Sequence, residues 1–299
     1  YPSRGGKGFR PGLCIATAKA FCGTEEKALR SAAAIELFHN AFLVHDDIED
    51  DSDFRRGTET MHQLYGVGIA VNVGDAMNVL SLRPLMDNIF DLGPALTWTL
   101  FNEIEHMVRQ SVEGQAIELG WVRENDMEVN ENDYLRMILK KTCWYTIIHP
   151  CRIGALIATQ GKLDPSRFNH FGFYMGAAFQ IQDDILNLEG SMEKYGKEIL
   201  GDIFEGKRTL PLVHMIHHAN RPEKEYVRKF LSLPRRQRSR PDTEEIYSLM
   251  LKYGSVEYAR ACAGNLAGAA LREFNIAYGD QEESEDRQFI RNIILSLIH

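Results

Sequence analysis

No apolar run in this 299-residue chain approaches the ~18 residues that a membrane-spanning helix needs, so a helical transmembrane protein is excluded. Cysteine is sparse: Cys14, Cys22, Cys143, Cys151 and Cys262 are odd in number and none has CxxC spacing. That suggests neither a disulfide framework nor a zinc site, and predicts reduced, mostly buried thiols in an intracellular protein. Basic excess is also missing. With 42 acids against 34 bases the formal charge is -8, which argues against a nucleic-acid partner. Strand-type alternation is scarce and never recurs in a βαβ rhythm. There is no GxSxG elbow, no HExxH, no GxGxxG after a strand, and no Ser/His/Asp or Cys/His nucleophile arrangement. The chain opens at Tyr1 without a charged stretch leading into an apolar one, so no secretory signal is visible. A cytoplasmic location is expected, with a removed organellar leader left open.

What is present is an ordinary globular composition, 44% hydrophobic, 25% charged and 10% aromatic. A chain of this length buries roughly three-quarters of its unfolded surface and needs no metal to hold its core. Apolar residues recur at i, i+3, i+4, i+7 over 25–45, 95–119, 131–160, 165–188, 243–253 and 256–277. Breakers separate them at Gly57, Gly66–Gly68, Gly93-Pro94, Gly161 to Pro165, Gly201–Gly206 and Arg221-Pro222. No compositional shift marks a linker, which predicts one all-α domain over 1–299 with ten or more helices. Four arginines stand between Pro234 and Pro241. They read as a solvated loop between helices, with an anion-binding patch as the alternative.

Two acidic helices carry the chemistry. Gln180, Asp183, Asp184 and Asn187 stand at i, i+3, i+4, i+7 and form one polar stripe beside apolar neighbours. Carboxylates in such surroundings are costly unless paired with positive charge. The other helix runs through the apolar Phe38–Val44 stretch into six acids within Asp46–Asp53. His39, Asp46 and Asp50 share one face of it. Acids at a helix C-terminus oppose the helix dipole, and divalent cations would offset both penalties. All-oxygen donors favour Mg²⁺ or Mn²⁺ over zinc. An EF-hand is excluded, because the Asp47, Glu49, Asp51, Asp53 alternation lacks glycine at its sixth position. A plain solvated acidic turn remains the alternative. Arg55-Arg56-Gly57 follows at once, and acids with bound metal beside forked arginines suit a diphosphate.

Basic elements lie elsewhere. Gly5-Gly6-Lys7-Gly8-Phe9-Arg10-Pro11 offers backbone approach and two cations to an anion. Gly201–Lys207 satisfies GxxxxGK, but Arg208 follows and no strand precedes, so a nucleotide P-loop is improbable. Lys197, Asp202, Lys207 and Arg208 could serve another phosphate, and Lys140-Lys141-Thr142 sits within a helical segment. His214, His217 and His218 have metal-ligand spacing on a helix, although a metal site is the less favoured reading there.

Taken in order, these motifs closely resemble the trans-isoprenyl diphosphate synthases, the polyprenyl synthetase family. The resemblance runs from Gly5 to Pro211. It comprises GGKxxRP at the start, DDxxD at Asp46–Asp50, RRG at Arg55–Gly57, HxxYG at His62–Gly66 and GQ at Gly114-Gln115. KT at Lys141-Thr142, FQxxDD at Phe179–Asp184 and GKxxxxDIxEGKxTLP from Gly196 complete it. It implies an isoprenoid-synthase helical bundle whose two acidic helices face each other across a deep apolar cavity. It implies a prenyltransferase that ionises an allylic diphosphate with three Mg²⁺ ions, condenses it with isopentenyl diphosphate and loses a proton. By position it assigns metal to Asp46, Asp50 and Asp183, with Asp47, Asp184 and Asn187 supporting. The allylic diphosphate falls to Arg55, Lys141, Thr142, Gln180, Lys197 and Lys207. Isopentenyl diphosphate falls to Lys7, Arg10, His39 and Arg56. Asn187 replaces the usual aspartate and still offers oxygen. The family is typically homodimeric and carries helices before GGK, so a partner copy and a preceding segment are expected.

Product length in the family depends on residues four and five before the first acidic motif, here Phe42 and Ala41. Ala41 leaves room where fifteen-carbon enzymes place an aromatic, and Phe42 still restricts it. Geranylgeranyl diphosphate, twenty carbons, is the expected product. Farnesyl or longer products stay open, the more so if residues such as Met77 form the floor. A class I terpene cyclase would have no use for the isopentenyl site, and a silent partner subunit would have no reason to keep both acidic motifs.

Overall fold

The computed structural model describes residues 1–2, 5–6, 8–190 and 198–298. Helices make up nearly all of its regular structure. The first half comprises α1 (Phe9–Ala20), α2 (Glu25–Glu49), α3 (Met61–Tyr65), α4 (Val67–Asp87) and α5 (Ile89–Arg123). Between α2 and α3 lies a small antiparallel hairpin, β1 (Phe54–Arg55) on β2 (Thr58–Glu59). Its turn residues Arg56 and Gly57 both have positive φ, 55° and 74°, as a two-residue hairpin turn of this twist requires. Gly93 (φ 77°) puts a kink before Pro94 near the start of α5, so that breaker bends a helix rather than ending one.

The periodic stretch 131–160 is three pieces in the structure. α6 (Glu131–Ile138) opens on a capping box between Asn130 and Asp133. A π helix, Leu139–Ile148, follows, and α7 (His149–Ala158) continues it. After a short 3₁₀ turn at Pro165–Phe168 comes α8 (Asn169–Glu189). The remainder is α9 (Gly201–Glu205), α10 (Leu210–His218), α11 (Arg221–Leu231), α12 (Arg240–Lys252), α13 (Ser255–Ala277) and α14 (Glu285–Ser296).

Two expectations need correction here. Gly201–Gly206 is a one-turn helix bounded by left-handed Leu200 and Gly206, not an irregular break. Arg221-Pro222 opens a helix: Asn220 and Glu223 cap it reciprocally and proline occupies the first turn, where its missing N–H costs nothing. The Pro234–Pro241 stretch is a largely exposed connection between α11 and α12, as expected, but its arginines are not the open anion site given as the alternative. They are bound to carboxylates and carbonyls of neighbouring segments.

α2 packs along α4, α1 along α7, and α8 along α13, while α5 lies against the π helix. Four apolar clusters fill these interfaces, the first of them under α6, the π helix, α8 and α10–α13. The cysteines are all free, with Cys14, Cys143 and Cys151 buried and Cys22 exposed. Among the described residues no helix is long and apolar enough to cross a membrane.

Candidate active site

A cavity of about 560 Å³ is enclosed by α2, α5, the π helix and α8, with Lys207, Arg208 and Thr209 also contributing. Each helix gives it both characters. α2 contributes Phe42 one turn before Asp46, and α5 contributes Val108 and Val112 one to two turns before Gln115 and Glu118. The charged residues therefore gather at one end and apolar walls run below them.

Of the first acidic motif, Asp46 faces the cavity. It accepts from Arg55 Nη2 at 3.1 Å and Lys141 Nζ at 3.4 Å. Asp47, next along the helix and about a quarter-turn round it, points the other way and is fully buried. Arg55 Nε donates to it at 2.7 Å and the Tyr1 hydroxyl at 2.5 Å. It does not line the cavity, so the structure separates it from the supporting metal role its motif suggests. Burial raises the Asp47 carboxyl above the ordinary range, against the pull of Arg55. Asp50, expected at the metal, does not line the cavity either; it receives Lys207 Nζ at 2.6 Å, and burial pushes its carboxyl up to about 7. Burial opposes the charge of Lys207, but Asp50, Glu205 and Asp202 hold it firmly protonated.

α8 brings Gln180, Asp183 and Asp184 to the opposite wall. Asp184 accepts from the Tyr134 hydroxyl at 2.7 Å and from Gln180 Nε2 at 2.8 Å, and burial lifts it to about 7. Thr142 Oγ1 donates to Gln180 Oε1 at 2.8 Å, which ties the π helix to α8. Asn187 is not at the cavity. Its side-chain oxygen accepts the Asp202 backbone N–H at 3.1 Å, so it anchors α9, contrary to the expected metal contact.

Lys141 enters from the π helix. That helix approaches α5 so closely that a Cβ on Gly114 would lie 2.3 Å from the Lys141 nitrogen, which explains the glycine. Glu118, one turn after Gly114, pairs with Lys141, and together with Asp46 it keeps the ammonium charged despite burial. Arg10 donates to Thr146 Oγ1 at 2.9 Å, approaches His39 Nε2 at 3.3 Å and lies 4.2 Å over the Tyr145 ring. The Tyr145 hydroxyl pairs with the other ring nitrogen of His39. Burial first, then Arg10, lowers the His39 pKa, so the ring is neutral. Arg56 lines the same wall and donates to the Gly5 carbonyl. Lys7 and Lys197 lie outside the described residues.

Sequence reasoning passed over Glu118, Tyr134 and Tyr145. For Glu118 the signal was available: it shares a helical face with Gly114 and Gln115. Phe42 lines the cavity and meets Tyr145 edge-on with ring centroids 5.5 Å apart. Ala41 is fully buried and Met77 half-buried, and neither lines the cavity. His214, His217 and His218 bond to Ser255, Val129 and the His214 carbonyl, and no metal-holding cluster of His, Cys, Asp or Glu occurs among the described residues.

That last observation bears on Mg²⁺. Asp46, Glu49, Asp183, Asp184 and Asp202 all line one end of the cavity, an all-oxygen set suited to a hard cation. They are not gathered into a closed cage. The residues fit Mg²⁺ in its usual manner, held by one or two carboxylates and completed by waters and phosphate oxygens.

Helical bundle, facing acids, ordered cations and apolar walls together define an enzyme that handles an anionic headgroup on an apolar tail. The sequence matches the Polyprenyl synthetase family over residues 1–250, and the chain belongs to that family. It is accordingly a trans-prenyltransferase. It is 33% identical to the geranylgeranyl diphosphate synthase of Sulfolobus acidocaldarius over 91% of this chain and 80% of that one. It is 29% identical to the octaprenyl diphosphate synthase of Escherichia coli over 92% and 81%. Its fold superposes on geranylgeranyl pyrophosphate synthase from Corynebacterium glutamicum, solved with isoprenyl diphosphate and magnesium. The TM-score is 0.88 at 26% identity, over 99% of this chain and 87% of that one.

Proposed function

We propose that this enzyme condenses isopentenyl diphosphate with an allylic diphosphate and releases geranylgeranyl diphosphate. One observation carries the reading: acids from α2 and α8 and a set of cations share one end of a cavity whose deeper walls are apolar. Asp46 and Asp183, which line the cavity, would hold Mg²⁺, while Asp50 lies off the cavity and orients Lys207; a related structure solved with magnesium supports the choice of metal. When bound, Mg²⁺ would neutralise the diphosphate and weaken its bond to the allylic carbon.

The chain's own groups do the rest. Lys141, Arg55 and Lys207 take charge developing on the departing diphosphate, already fixed by Glu118, Asp47 and Asp50 and so needing little reorganisation. Arg10 and Arg56 hold isopentenyl diphosphate beside neutral His39, which donates no proton to the reacting centre. Phe42 and Val108 exclude water from the allylic cation until the isopentenyl double bond attacks it. The proton lost from the resulting cation passes to the released diphosphate. Phe42 limits the tail, which favours twenty carbons over the longer product named for the E. coli relative.

The α4 and α5 surface supports a homodimer. Val79, Leu80, Phe90, Trp98 and Val112 are large apolar residues more than half exposed on these two helices. Sedimentation should show a dimer, and a strict monomer would reject that part.

Incubation with Mg²⁺, isopentenyl diphosphate and farnesyl diphosphate, followed by mass analysis of the dephosphorylated products, tests the whole. A single twenty-carbon alcohol is expected. Thirty carbons or more would reject the cavity floor, and failure to elongate any allylic primer would reject the activity.

A further inference from the structure

The arginines between Pro234 and Pro241 take no part in the cavity, yet each grips a segment that borders its charged end. Arg235 donates to Glu198 at 2.9 Å and reaches Asp53 at 3.5 Å. Arg236 binds both oxygens of Asp51, at 3.0 and 3.3 Å. Arg238 donates to the carbonyls of Phe204 and Leu231 at 2.5 and 2.8 Å, and Arg240 to the Ile199 carbonyl at 3.0 Å. Gly206 is open for this purpose: a Cβ there would lie 2.7 Å from the Arg238 guanidinium.

Two segments are thereby fastened to each other, 50–53 at the end of the first acidic motif and 198–207 ending at Lys207. On the inner side Lys207 reaches Asp50 at 2.6 Å and Ser52 Oγ reaches Glu205 at 2.9 Å. On the outer side Arg235 spans them, from Asp53 to Glu198, with Arg236 beside it on Asp51. We propose that Arg235 and Arg236 are positioning residues for prenyl transfer, an outer clasp that keeps Asp50 and Lys207 in register for the diphosphate. They also cancel the charge of Asp51, Asp53 and Glu198, which would otherwise repel an incoming anion. This inference rests on the charged end being the diphosphate site.

The test measures KM for the allylic diphosphate and kcat in the wild type, Arg235→Glu, Glu198→Arg, the double swap, Arg235→Lys and Arg236→Gln. Apparent melting temperature is followed in parallel. Exposed and half-exposed pairs each contribute modestly, so single charge changes should raise KM about two- to five-fold with kcat and melting nearly unchanged. The double swap and Arg235→Lys should recover most of the wild-type KM. Added NaCl should raise the KM of the wild type more than that of an Arg235→Gln, Arg236→Gln double variant, which keeps the proposal testable if the charge reversal does not fold. Unchanged KM in the single variants, no recovery in the swap, or activity that merely follows melting temperature would overturn the clasp. A wild type that fails to elongate would instead overturn the activity.

Discussion

Asp47 stands inside the first acidic motif, yet its surroundings are those of a structural anchor. It has no exposure, and Arg55 holds it through contacts of 2.7 and 2.5 Å while also reaching Asp46 at 3.1 Å. The Tyr1 hydroxyl completes the set at 2.5 Å and itself receives the Met61 backbone N–H at 3.1 Å. Replacing Asp47 by Asn keeps the shape but removes the charge opposite a buried guanidinium. Breaking one side of a buried pair costs about 3–5 kcal/mol. Asn still accepts one hydrogen bond, and Arg55 keeps Asp46, so the lower end, about 3 kcal/mol, applies. At roughly 2 °C per kcal/mol for a chain of this size, the apparent melting temperature should fall by roughly 6 °C. The Mg²⁺ concentration for half-maximal rate should change less than about three-fold, since Asp47 does not line the cavity. Asp46→Asn should do the reverse, with melting nearly kept and turnover lost. Thermal unfolding by circular dichroism and Mg²⁺ titration of steady-state rates decide between them. An Asp47→Asn protein that melts like the wild type but needs tenfold more Mg²⁺ would refute the reasoning.

Other outcomes follow from the same geometry. Phe42→Ala should shift the products beyond twenty carbons, read by chromatography of the dephosphorylated alcohols. Ala41→Phe should instead lower stability by about 1–3 kcal/mol through overpacking a filled interior, with product length unchanged. Lys141→Met should lower kcat by about 10²–10³, the usual loss for one preorganised charge-stabilising donor, in single-turnover assays. Acid should weaken the fold at a site remote from catalysis. Buried His149 donates to Glu103 at 2.8 Å, and burial holds its pKa down to about 4. The unfolded chain binds that proton near 6.5, so this contribution, about 3 kcal/mol, is complete above 6.5 and lost as pH falls toward 4. Urea titrations across this range should show the decline, and His149→Gln should flatten it.

The helices themselves were legible, because each stretch of 3.6-residue periodicity had one face to bury. The π helix was not: a widened turn over Leu139–Ile148 leaves apolar spacing close to that of an α-helix. Asp46, Asp183, Lys141 and Gln180 could be placed at one site from their motifs. Adjacent residues such as Asp46 and Asp47 could not be separated by motif alone: neighbours about 100° apart on a helix can share a site, as Asp183 and Asp184 do, or part, as these two do. Asn187 and the Pro234–Pro241 arginines depended on tertiary partners far along the chain, at Asp202 and at Asp51, Asp53 and Glu198. No local pattern carries such pairings. Ala41 failed as a cavity residue for a related reason, since its face of α2 turns into packed helices.

The central claim is isopentenyl transfer at the facing acidic helices. Radiolabelled isopentenyl diphosphate, supplied with an allylic diphosphate, tests it most directly in reactions with Mg²⁺ and with EDTA. Label entering a longer prenyl diphosphate with Mg²⁺, and not with EDTA or in Asp183→Ala, is the predicted result. Diphosphate release without incorporation of label, or incorporation indifferent to both EDTA and Asp183→Ala, would contradict it.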